Sequence, residues 1–84
     1  MKADELRAIM YRKPFQPFRI RLNDGRFFDI RYPRLNLIGE SVILIGQPPL
    51  GDSNPRFSER HDWVMLNLID GIELLPEPAA PAHS

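Results

Sequence analysis

If this chain does chemistry, few of its side chains could carry it. His61 stands close to Glu59 and Asp62, and a histidine among carboxylates is raw material for a metal site or a proton-transfer pair. The spacing matches no standard ligand motif, and three polar residues at a loop-to-strand junction read as a solvated cluster. Ser41, Ser53, Ser58 and Ser84 come with neither a nucleophile elbow nor a convincing base, and His83 sits in a Pro/Ala-rich tail. Gly25, Gly39, Gly46, Gly51 and Gly71 make no phosphate-binding fingerprint. The expectation is a protein that is not an enzyme and holds no metal or cofactor.

Two constellations suit binding better. Arg19, Arg21, Phe27 and Arg31, with Arg26 and Arg34 at the ends, put cations beside an aromatic ring. Single-stranded nucleic acid requires that combination, phosphate neutralisation plus a stacking platform. The same residues also fit an ordinary solvated face in which Asp29 neutralises Arg19. The second constellation is apolar. Ile43, Ile45, Trp63 and Met65 are expected opposite the interior faces of their strands, so either a helix covers them or they mark a protein-protein or self-association surface.

The elements that must position these residues follow from pattern. Leu6, Ile9 and Met10 form a narrow stripe on a short helix over about residues 4–13, with Asp4 as N-cap and Pro14 as the stop. A helix this short must dock to be stable. Pro14-Phe15-Gln16-Pro17-Phe18 is a stiff connector whose phenylalanines anchor helix to sheet. Alternation then predicts a hairpin, with strands over about 18–23 and 26–32. A two-residue Asp24-Gly25 turn would put Asp29 on the apolar face opposite Ile20. A three-residue loop with Gly25 left-handed in a bulge pairs Ile20 with Phe28, Phe18 with Ile30, Arg19 with Asp29 and Arg21 with Phe27. The second register agrees with the hydrophobic pattern and offers a salt bridge at Arg19 and a cation-π contact at Arg21.

Val42-Ile43-Leu44-Ile45 is apolar on both sides and reads as a central strand over about 41–46. Residues 47–60 form a long polar, mobile loop. Strands over about 62–68 and 71–75 follow, joined by a tight turn at Ile69-Asp70-Gly71. Residues 76–84 are expected to be a disordered tail, leaving 1–75 as one small domain.

Composition bounds the function. The chain has 84 residues with 11 basic and 11 acidic side chains, so no global field favours nucleic acid. The balance is uneven along the chain, at +5 for residues 1–34 and −5 for the remainder. Such halves either pair within the fold or between subunits, or expose a basic face to an anionic partner. The absence of cysteine fits a reducing cytoplasm. The longest apolar run is Val42 to Ile45, far short of a membrane span, and the polar, acidic start is unlike a signal peptide.

The order helix, glycine-turn hairpin, apolar third strand, fourth strand, tight turn and short fifth strand resembles the Sm-like small barrel, which includes the bacterial Sm-like RNA chaperone. Leu22-Asn23-Asp24-Gly25-Arg26-Phe27 is similar to that fold's first hairpin and Val42-Ile43-Leu44-Ile45 to its third strand. The resemblance covers most of residues 4–75 and implies a mainly β protein with one N-terminal helix, a small five-stranded antiparallel barrel or roll of Sm-like or SH3-like form. A second resemblance is to short bacterial proteins of unknown function that share Pro14-Phe15-Gln16-Pro17-Phe18-Arg19-Ile20, Asp24-Gly25-Arg26-Phe27 and Ile30-Arg31-Tyr32-Pro33. It implies a stand-alone cytoplasmic protein and names no activity. The leading expectation is a non-enzymatic interaction or self-associating module. The alternative is a divergent Sm-like RNA binder using the hairpin arginines.

Overall fold

Six strands follow one helix in the computed structural model, which describes residues 1–49 and 58–76. Helix α1 is Ala3–Met10, and the strands are β1 (Phe18–Leu22), β2 (Phe27–Ile30), β3 (Leu37–Ile38), β4 (Val42–Gln47), β5 (Arg60–Met65) and β6 (Ile69–Leu74). They form two three-stranded antiparallel sheets, ordered β2-β1-β6 and β3-β4-β5. Among the described residues no ladder joins one sheet to the other. The mainly β character and the N-terminal helix agree with expectation, whereas the strand number is six rather than five.

The first hairpin has the three-residue loop. Gly25 donates its N–H to the Leu22 carbonyl at 3.1 Å, and Leu22 donates to Arg26 at 2.9 Å. Gly25 sits at φ 93°, in the region where a side chain would be strained. The register is Phe18 opposite Ile30, Arg19 opposite Asp29, Ile20 opposite Phe28 and Arg21 opposite Phe27. Phe18, Ile20, Leu22 and Ile30 therefore all point inward and are buried.

The helix starts and stops earlier than the pattern implied. Lys2 is the N-cap, and its backbone N–H donates to the Glu5 carboxylate at 3.1 Å. Asp4 lies in the first turn, paired with Arg7 at 3.2 Å. The helix ends at Met10 because Leu6 and Met10 are its last buried side chains, while Tyr11, Arg12 and Lys13 are exposed and bring no packing to extend it. The Lys13–Pro14 peptide is cis. Beyond it, Phe15 meets Phe18 edge-on with centroids 6.1 Å apart. The Pro17 carbonyl accepts from Leu75 N–H at 2.9 Å, tying the connector to the end of β6.

The second half departs most from the pattern. A single 3₁₀ turn, Leu66–Leu68, joins β5 to β6, with Leu66 buried, so Ile69 and Asp70 already belong to β6. Asp-Gly is a strong turn signal, but here it serves a bulge: Arg21 pairs with Gly71 and Leu22 with Ile69, leaving Asp70 as the extra residue. Another 3₁₀ turn, Pro33–Leu35, precedes the two-residue β3, which is too short to leave a pattern in sequence. The core gathers Ala3, Leu6 and Met10 of the helix with Phe18, Ile20, Ile30, Ile43, Ile45 and Val64 of both sheets. No helix among the described residues is long and apolar enough to cross a membrane. The expected mobile loop falls mostly, and the tail almost wholly, outside the described residues, as do Ser53, His83 and Ser84.

Candidate functional site

The two sheets present outer faces of opposite chemistry. On β2-β1-β6 the outward residues are charged and matched to one another. Arg19 donates to Asp29 through two nitrogens, at 2.7 and 3.2 Å, and its guanidinium lies 4.2 Å from the centre of the Phe27 ring. Arg21 reaches across to Glu73 of β6 at 2.7 Å, and Arg26 bonds Asp24 at 2.8 Å. The cation-π contact expected of Arg21 with Phe27 is thus made by Arg19 from the diagonal position. Arg21 is drawn the other way because β6 supplies a carboxylate, and a charge-assisted hydrogen bond outweighs a ring contact. Arg31 stands exposed just beyond β2 and acts on Asp29 only through its field.

These contacts also set the titration of the face. The Arg19 hydrogen bond holds the Asp29 carboxyl below its ordinary value, against an opposing effect of burial. The Arg26 backbone N–H and guanidinium do the same for Asp24. Arg21–Glu73 joins the basic and acidic halves of the sequence, whereas Arg19–Asp29, Arg26–Asp24 and Arg7–Asp4 lie within the first half.

The outer face of β3-β4-β5 carries no such pairing. Antiparallel partners share a face, and Ile43 pairs with Val64 while Leu44 pairs with Trp63 and Val42 with Met65. Val64 is buried, so Ile43 points inward with it, and so does Ile45 two residues on; both are at most 1% exposed. The expected grouping of Ile43 and Ile45 with Trp63 and Met65 is therefore corrected. A strand apolar on both sides gives no phase by itself, and the phase is set by the partner strand. The residues that do join Trp63 and Met65 are Val42, Leu44 and, through its pairing with Leu44, Leu37.

The result is two apolar rows across the sheet, Leu37–Leu44–Trp63 and Val42–Met65. Trp63 is 71% exposed, Leu37 67% and Met65 47%. The helix does not cover them. Its buried side chains enter the core, and Arg7 donates to the Ile38 carbonyl at 3.3 Å.

Sequence reading also missed Asn36, the buried polar side chain among the described residues. Its Oδ1 accepts from Gly46 N–H at 3.1 Å and its Nδ2 donates to the Tyr32 carbonyl at 2.9 Å, fastening the end of β4 to the first 3₁₀ turn. Gly46 is needed there, since a Cβ would collide with the Leu35 carbonyl and the Ser58 hydroxyl. A concavity of about 220 Å³ lies alongside, lined by Asp29, Tyr32, Asn36 and Gln47 among others. Both polar atoms of Asn36 bond to backbone.

Glu59 and His61 precede Asp62 near the start of β5, and strand alternation sends His61 and Asp62 to opposite faces. Among the described residues no three His, Cys, Asp or Glu side chains come together in a way that could hold a metal. Comparison with protein-family models, curated proteins and solved structures gives no match.

Proposed function

We propose that this chain is a non-enzymatic interaction module, a small barrel of Sm-like or SH3-like form, which binds protein through the outer face of β3-β4-β5. The observation that carries the reading is the pair of uncovered apolar rows, Leu37–Leu44–Trp63 and Val42–Met65. Single exposed hydrophobic residues are ordinary, but exposed Leu37, Trp63 and Met65 joined by half-buried Val42 and Leu44 make one apolar surface around a tryptophan, the composition of a binding centre. The barrel assignment draws on one helix, antiparallel strands throughout and a core shared by both sheets. Absence of cysteine supports placing the module in the cytoplasm.

A photoreactive amino acid at position 63, compared with one at the exposed Asp70, tests this reading. Irradiation in cells should give a discrete protein adduct, of any identity, from position 63 and much less from position 70. Equal yields from the two positions would remove the face from consideration. Salt-sensitive, tight binding of single-stranded RNA, weakened by Arg21→Ala and Arg31→Ala, would replace the reading with nucleic-acid recognition by the hairpin.

A further inference from the structure

We infer that the apolar outer face of β3-β4-β5 is covered by a second copy of this chain, stacked sheet against sheet about a two-fold axis that crosses the strands. The inference rests on the interaction reading above and names its partner.

Self-complementarity is the first argument. A two-fold interface sets a patch against itself, so any charge inside it would meet its own kind. The five central positions, Leu37, Val42, Leu44, Trp63 and Met65, carry no charge. An axis passing between the two rows lays the Trp63 row of one copy on the Met65 row of the other and buries both.

Charge at the rims selects the direction of the axis. Beyond Met65, the hollow beside the patch is lined by Lys2, Glu40 and Asn67. Beyond Trp63 lies His61, which pairs with Gly46 in the ladder and is on the Trp63 side by strand alternation. The charged Glu40 and Lys2 thus stand together at the Met65 rim, and His61 stands at the other. An axis parallel to the strands would set Glu40 against Glu40 and Lys2 against Lys2. An axis across the strands keeps the Glu40 and Lys2 of the two copies at opposite ends of the interface and sets the His61 rim of one copy over the Glu40 rim of the other, so no charge meets its own kind.

Area is the third argument. Trp63, Leu37 and Met65 leave roughly 400 Å² of apolar surface uncovered, a size that marks functional patches on monomers. Two such patches bring roughly 800 Å² together, and the polar rims that close around them add to this toward the roughly 1,200 Å² at which specific interfaces begin. A domain of this length also buries a modest share of its surface alone, so association adds to a core that is small by necessity.

Sedimentation equilibrium of the full chain through the micromolar range, alongside Trp63 emission, tests the inference. Trp63 is the sole tryptophan, so its emission reports directly on the patch. The wild type should pass reversibly from monomer to dimer, with emission shifting to the blue over the same concentrations. Trp63→Glu, at an exposed site that tolerates it in the monomer, should weaken dimerisation at least tenfold while circular dichroism stays unchanged. Glu40→Lys should weaken it several-fold at low salt, and adding His61→Glu should restore it. That exchange of charge holds for this axis and not for the parallel one. A wild type that remains monomeric throughout overturns the second copy, and a position-63 adduct to a different protein would still leave the interaction reading standing. A dimer that survives Trp63→Glu, or one whose Glu40→Lys defect His61→Glu leaves unrestored, also overturns it.

Discussion

The outer faces of the two sheets solve the same problem in opposite ways. Both belong to three-stranded antiparallel sheets whose inner faces meet in one core. On β2-β1-β6, each outward arginine of β1 finds a carboxylate on a neighbouring strand, Arg19 with Asp29 and Arg21 with Glu73, and Phe27 lies under Arg19. On β3-β4-β5 the equivalent positions are Leu, Val, Met and Trp, of which Leu37, Trp63 and Met65 are left exposed. One face pairs its charges within the chain and the other exposes apolar side chains. Cationic residues alone therefore make a poor guide to a binding site here, because the chain already supplies their partners.

The contrast can be broken most forcefully by comparing the two sides of β3-β4-β5. Ile43→Ala should lower the unfolding free energy by about 2–5 kcal/mol, since it empties a fully buried site. Trp63→Ser in dilute protein should change it by no more than about 0.5 kcal/mol. Urea denaturation at low concentration reads both, and equal costs would mean that Trp63 is packed within the monomer. Next in size is Asn36→Ala, which strands the buried Gly46 N–H, while the Tyr32 carbonyl keeps its bond from Leu35 N–H, and should cost about 1–3 kcal/mol in the same measurement.

Smaller effects sharpen the charged face. A double-mutant cycle on Arg19 and Asp29, whose side chains are about a quarter exposed, should give a coupling of about 1 kcal/mol. The half-exposed Arg21–Glu73 pair should give about half of that or less. A reversed order would show that the bidentate geometry and the Phe27 contact add nothing. The smallest effect concerns acid. Asp29 titrates below its ordinary 3.8 in the folded chain because of Arg19, so its contribution is complete above that value and lost as pH falls through the lower folded one. Thermal melts from about pH 5 down to about pH 2 should fall less steeply for Asp29→Asn than for wild type.

What the sequence revealed depended on whether two signals agreed. At Asn23-Asp24-Gly25 the turn residues admit two loop lengths, only the three-residue one agrees with alternation, and its pairing of Ile20 with Phe28 is the one observed. At Asp70-Gly71 a turn signal stood alone, and the dipeptide proved to be a bulge inside β6. At Val42 to Ile45 alternation was absent, so Ile43 and Ile45 were assigned to the wrong side until Val64 fixed the phase. The candidate surface was half legible for that reason. Trp63 and Met65 alternate with the buried Val64, whereas Leu37 belongs to a strand of two residues that leaves no periodic trace. Asn36 gave no local signal because its partners, Tyr32 and Gly46, meet it only once the fold has formed.

The pairing of β1 with β6 has a mechanical consequence. Phe18 opens β1 and Leu74 closes β6, and the two face each other across the ladder, with the Leu75–Pro17 hydrogen bond just beyond them. Tension applied between residues 17 and 75 would load that hydrogen bond first and then part the ladder one rung at a time, as a zip opens, instead of shearing all its rungs together. Against stretching from these points the sheet would yield at low force.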